Sequence, residues 1–248
     1  MEKLKKAPIV EAVLDIECDM PPGQTIIALE GPAREMYRDH YPKCHRILMH
    51  EHFIQTKQAE QPQVSSQESI QGFRFLSDDE KQIVQLRSQG FSFNRLAHYS
   101  TLDDYLPEME RTWKLFRTLA TPVQVRAIRL RYINRILLPL SGGQLTLEDY
   151  FRVCPRLPDG EKMIFIGFLN QHSAVETDTG NQVNIILASQ PNENNMAPVI
   201  LDIAVVNPMP SDPANWNEIL NKIQGLRQLK NRVFENTLTK RCLELFQE

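Results

Sequence analysis

Along much of this chain apolar and polar side chains alternate with a period of two, the mark of a strand with one buried face. In residues 8–18, PIVEAVLDIEC, Ala12, Leu14, Ile16 and Cys18 fall on one side and Val13, Asp15 and Glu17 on the other. Pro21, Pro22 and Gly23 then break the run. Further apolar runs at 72–76, 83–93, 123–138, 163–169, 183–188 and 199–206 predict more strands. Ser77 to Glu80 and Asp178 to Asn181 read as turns between neighbours.

Helical spacing takes over elsewhere. Leu102, Tyr105, Leu106, Met109, Trp113 and Phe116 form one stripe, preceded by Thr101 and Asp104 in a capping-box arrangement and followed by Pro122. A second stripe, Trp216, Ile219, Leu220, Ile223, Leu226, Val233 and Phe234, follows Asp212 and Pro213, which read as N-cap and first helical residue. Residues 25–41 predict a helix with Pro32 near its start, and 146–151 a short one. Residues 55–69 are polar and read as a solvent loop or long hairpin connection.

These elements predict an α+β fold: a mainly antiparallel sheet of six to nine strands, packed with helices on one face and contained in a single unit over residues 1–248. Leu14-Asp15-Ile16 and Leu201-Asp202-Ile203 follow a proline and aliphatics in the same way, and each half ends with a tryptophan-bearing helix. That hints at two repeated halves, 1–121 and 122–248, joined into one curved sheet or barrel.

Composition narrows the function classes. The chain has 248 residues, 42% hydrophobic and 24% charged, with a net charge of −3, so no global field recruits nucleic acid or an anionic membrane. No apolar run reaches bilayer-spanning length, and the charged N-terminus has no signal-peptide core behind it. Four scattered cysteines read as reduced thiols, which points to the cytoplasm.

Several blocks carry a family resemblance: Lys6 to Ile16 (KAPIVEAVLDI), Gly90 to Asn94 with Tyr99, Leu130 to Ile136 (LRYINRI), Leu147 to Phe151, Leu201 to Ile203, and Arg232 to Glu235 with Leu238 and Thr239. With these the chain resembles a sporadically distributed family of bacterial proteins of unknown function, over nearly its whole length. It departs at Cys18, where an aromatic is common, and at Leu102-Asp103, which replaces a Trp-Glu-like pair. The resemblance implies no activity; its patchy distribution points to a defence or toxin–antitoxin setting.

One polar feature is organised by the backbone. Arg129, Arg131 and Arg135 share one face of the 123–138 strand, while Ile128, Leu130, Tyr132, Asn134, Ile136 and Leu138 occupy the other. Guanidinium forks in a row suit phosphate or carboxylate, which predicts a ligand-binding ladder for an anionic small molecule, nucleotide or partner protein. The structural alternative is neutralisation by acids across the sheet, with Asp15 and Asp202 the natural partners. Asn134, on the apolar face, reads as a structural anchor.

No nucleophile elbow, P-loop, dinucleotide fingerprint or zincin motif occurs, so the expectation is a binding or interaction module with no cofactor. An enzyme whose site is assembled from Arg131, Asp15, Asp202 and Tyr132 is the alternative. His40, Cys44, His45, His50 and His52 crowd together, yet their spacing fits no structural zinc pattern, and no metal is expected. Phe73, Phe75, Phe91 and Phe93 could stack on single-stranded bases beside Arg74, Arg87 and Arg95, but rings two apart on a strand more often face a core.

Overall fold

The computed structural model describes residues 4–55, 63–140, 145–160 and 162–247, and their side chains apart from those of 51–66. The elements run in this order: β1 (Ile9–Asp19), a 3-10 turn (Ile26–Leu29), α1 (Glu30–Tyr37), β2 (Lys43–Gln55), β3 (Gln63–Leu76), β4 (Gln82–Arg87), β5 (Gly90–Leu96) and α2 (Leu102–Ala120). There follow β6 (Gln124–Pro139), a 3-10 turn (Leu147–Asp149), β7 (Leu169–Val175), β8 (Gln182–Ser189), β9 (Met196–Asn207), α3 (Trp216–Thr237) and α4 (Lys240–Glu244).

The nine strands of the described residues form one sheet in the order β2-β3-β4-β5-β1-β6-β9-β8-β7, and every neighbouring pair is antiparallel. The expected α+β class is therefore what the chain adopts. The sheet is open, with β2 and β7 at opposite edges, so the barrel alternative does not occur. Residues 1–121 contribute the block from β2 to β1, and 122–248 the block from β6 to β7. In each block the first strand lies beside the last, and β1 meets β6 at the centre. The Leu-Asp-Ile echo links β1 with β9, which occupy different places in the two blocks, so that short match does not follow the topology.

Strand alternation places the core on one face. Leu14 lies opposite both Phe93 and Leu130, and Leu130 opposite Val205, so these side chains form a row across four strands. All four are buried, as are Phe73, Phe75 and Phe91, each phenylalanine contributing about 2 kcal/mol through its buried surface. Packed in this core, these rings are not a platform for bases. The helix α2 covers the β5 side, where Trp113 meets Phe91 and Phe116 with ring centroids 5.7 and 5.4 Å away. The helix α3 covers β6 and β9 with Ile219, Ile223, Leu226 and Phe234.

Local signals behave as read at α2, where Thr101 and Asp104 exchange side-chain and backbone hydrogen bonds as a capping box. Other boundaries move. The run 83–93 is not one strand: Ser88 and Gln89 turn it into the β4–β5 hairpin, closed by Arg87 opposite Gly90. Gly90 takes φ +139°, and a Cβ there would lie 2.1 Å from the Ile16 carbonyl oxygen, so only glycine fits. Residues 63–69, expected in a polar connection, pair with β2 as part of β3; residues 56–62 lie outside the described residues. The apolar run 163–169 contributes only Leu169 to β7, because β8 pairs instead with the more polar 169–175. The helix α3 starts at Trp216 with Asn215 as its cap; Asp212 instead accepts from the Ala214 amide in a tighter turn before it.

Candidate functional site

The arginine ladder of β6 stands on the face away from the helices. Arg131 donates from Nε and Nη2 to both carboxylate oxygens of Asp202 on β9, at 2.6–3.0 Å. Arg135 reaches Glu193 at 2.8 Å and donates to the Gln190 side chain at 2.9 Å. Arg129 lies directly opposite Asp15 in the β1–β6 register, yet its guanidinium pairs with Glu17 at 3.5 Å. Asp15 accepts instead from Arg87 of β4, at 2.9 Å. Each ladder arginine thus already holds a carboxylate. Asp202 neutralises its expected strand neighbour, whereas Asp15 serves a residue from the other side of β1. A cavity of about 470 Å³ lies over Arg129, Arg131 and Asp202, with Ala204 and Val206 of β9 and residues of β7 and β8 supplying the rest of its lining.

Tyr132 does not join these groups. It alternates to the opposite face of β6 and is buried under α3, so an enzyme centre combining it with Arg131, Asp15 and Asp202 is not assembled. Its environment there is the more unusual one. A cleft of about 520 Å³ is floored by Tyr132 and Asn134 of β6. One wall is the N-terminal segment with Leu4, Ala7, Pro8 and Ile9, a second the link between β5 and α2 with Tyr99 to Leu102, and the third the face of α3 from Gln224 to Phe234. Hydrogen bonds from Lys6 N–H to the Phe246 carbonyl (3.0 Å) and from Arg135 N–H to the Pro8 carbonyl (2.9 Å) tie the first wall down. Asn134 donates from Nδ2 to the Leu201 and Tyr132 carbonyls, at 2.9 and 3.3 Å, which fixes the floor and bears out its role as an anchor.

The cleft is lined by two cations and, among the described residues, by no acid. Arg227 is bidentate to Asp103, at 2.7 and 2.9 Å, and so carries its own counter-charge. Lys230 has none. It is 7% exposed, makes no hydrogen bond or ion pair with any described residue, and rests its ammonium over the Tyr132 ring, 4.1 Å from the centroid. A ring face gives back only part of the hydration an ammonium loses on burial. Burial therefore pushes the Lys230 amine down to about 8, with Arg227 lowering it further and Glu235 acting weakly the other way. Tyr99 and Tyr132 share one hydrogen bond between their hydroxyls, at 3.1 Å, and desolvation raises both phenols, so both stay protonated at neutral pH. One phenol hydrogen closes that bond; the other has no acceptor among the described residues.

Sequence reasoning passed over Lys230, although a signal was present. It continues the stripe Ile219, Ile223, Leu226, Phe234 at spacings of three and four, a core position where a lysine is out of place. Apart from His40, which precedes it, the histidine-rich stretch lies in β2, where His50 faces Glu68 at 3.6 Å, and no three metal-ligating side chains converge among the described residues. No helix among the described residues is long and apolar enough to cross a membrane. Neither a protein-family model nor a curated protein matches the chain.

Proposed function

We propose that the protein is a binding module for an anionic small molecule, and that the anion is held in the cleft between α3, β6 and the N-terminal segment. The observation that carries this reading is Lys230: a buried ammonium that lines a cavity and forms no ion pair among the described residues. Native structures seldom leave a buried charge uncompensated, because doing so costs several kcal/mol, roughly. A ligand carboxylate or phosphate would supply the missing charge, and burial would strengthen the attraction. The arginine ladder fits this role less well, since its guanidinium groups are already engaged by Asp202, Glu193 and Glu17. No described residue of the cleft pairs a nucleophile with a base, which favours binding over catalysis.

Thermal melting of the wild type and Lys230→Met with a panel of phosphates, nucleotides and carboxylates tests the reading. At least one anion should raise the wild-type melting temperature and leave that of Lys230→Met unchanged. Equal shifts in both proteins, or none in either, would refute a ligand site at Lys230.

A further inference from the structure

Resting on the anion-binding reading above, we propose that the ligand of this cleft is an amphipathic monocarboxylate, its carboxylate on Lys230 and the paired tyrosine hydroxyls and its apolar body against Leu4, Pro8, Ile9 and Phe234.

Charge counting selects one negative charge. Of the two cations lining the cleft, Arg227 is offset by the bidentate Asp103 carboxylate, which leaves Lys230 as the single uncompensated one. A carboxylate matches it. A phosphate monoester carries about −1.5 to −2 at neutral pH, and a nucleoside triphosphate more, so both would bury charge the protein does not balance.

Hydrogen-bond counting agrees. The two hydroxyls of Tyr99 and Tyr132 share one bond, which leaves one O–H hydrogen with no acceptor among the described residues. Both tyrosines line the cleft together with Lys230, whose ammonium lies over the Tyr132 ring face. Two donors lining one cleft suit the two oxygens of a carboxylate.

The walls give the rest of the molecule its character. Leu4, Pro8 and Ile9 are only half-buried along the N-terminal segment, and Phe234 faces them from α3. An alkyl or aryl body would remove this surface from water, at about 25 cal/mol per Å². The cavity of about 520 Å³ falls within the ordinary range for small-molecule sites, about 300–1,000 Å³, so it has room for a body of that kind.

Calorimetric titration of the full chain at pH 7 and low salt separates the alternatives. The probes are octanoate and 4-phenylbutyrate, the neutral 4-phenylbutanol, acetate, phenyl phosphate and ATP. One of the two amphipathic carboxylates should bind at least tenfold more tightly than the alcohol, acetate or either phosphate, and lose at least tenfold in Lys230→Met. Lys230→Gln is read in the same way, so the result does not depend on one variant folding. Tighter binding of phenyl phosphate or ATP, lost in the Lys230 variants, would overturn the monocarboxylate and leave the anion site standing. Failure of every anion to bind, or binding that the Lys230 variants do not weaken, would overturn both.

Discussion

Replacing Lys230 with methionine should stabilise the unliganded protein, the reverse of what most substitutions at a buried helix position do. Burial holds the Lys230 amine at about 8, against an ordinary 10.5. At neutral pH the folded chain therefore carries this charge about 3 kcal/mol less favourably than the unfolded chain, at about 1.4 kcal/mol for each tenfold in proton affinity. Methionine keeps the unbranched shape and most of the apolar contacts, one atom shorter, and removes the charge. It also forfeits the contact with the Tyr132 ring, worth about 1 kcal/mol. The net expectation is a gain of about 2 kcal/mol at pH 7, or roughly 4–8 °C in melting temperature for a chain of this size. The gain should depend on pH. Below 8 both folded and unfolded wild type hold the proton, and the full penalty stands. Between 8 and 10.5 the folded state has released the proton while the unfolded state retains it, so wild-type stability rises through that window relative to the variant. Urea unfolding of both proteins at pH 7 and pH 10 measures the gap directly. A variant that is less stable than wild type at pH 7, with a gap indifferent to pH, would refute the claim that Lys230 is an uncompensated buried cation.

Other consequences can be checked with the same methods. Any anion held by Lys230 should bind more weakly as pH rises through about 8, because the amine loses its charge there; titration at pH 7 and pH 9.5 checks this. Arg131→Ala should destabilise the protein by about 1–2 kcal/mol, since it strands the buried Asp202 carboxylate, the figure being reduced because Arg131 is itself half exposed. A double-mutant cycle with Asp202→Ala should recover much of that loss, and anion binding should be unaffected. Gly90→Ala should cost several kcal/mol, roughly, because its φ of +139° and the Ile16 carbonyl 2.1 Å from the new Cβ leave no relaxed solution; urea unfolding reads this. Thr101→Ala should cost about 1 kcal/mol by loss of the α2 cap, in the same assay.

The sequence by itself determined the elements whose signals are local. The alternation of β6 decided which side chains face the core and which form the arginine row, because strand side chains have a strict period of two. The stripe and capping box of α2, the turn around Gly180 and the burial of the four phenylalanines were legible for the same reason: each depends on neighbours a few residues away. The hairpin at Ser88 and Gln89 was hidden inside one apolar run, and its clearest reason is the approach of Gly90 to the Ile16 carbonyl on another strand. Only the tertiary structure decided which acid each arginine holds: register sets Asp15 against Arg129, yet Arg87 arrives from a third strand and takes it. The open sheet, too, is a matter of strand order, which no local pattern encodes. The candidate site was the least legible part. Lys230, Arg227, Asp103, Tyr99 and Tyr132 lie up to 131 positions apart, from Tyr99 to Lys230, and nothing local couples them. A lysine in an apolar stripe announces an anomaly. Whether it meets a carboxylate or lines a cleft depends on which strand and which link the helix packs against, and that is decided when the sheet and helices assemble.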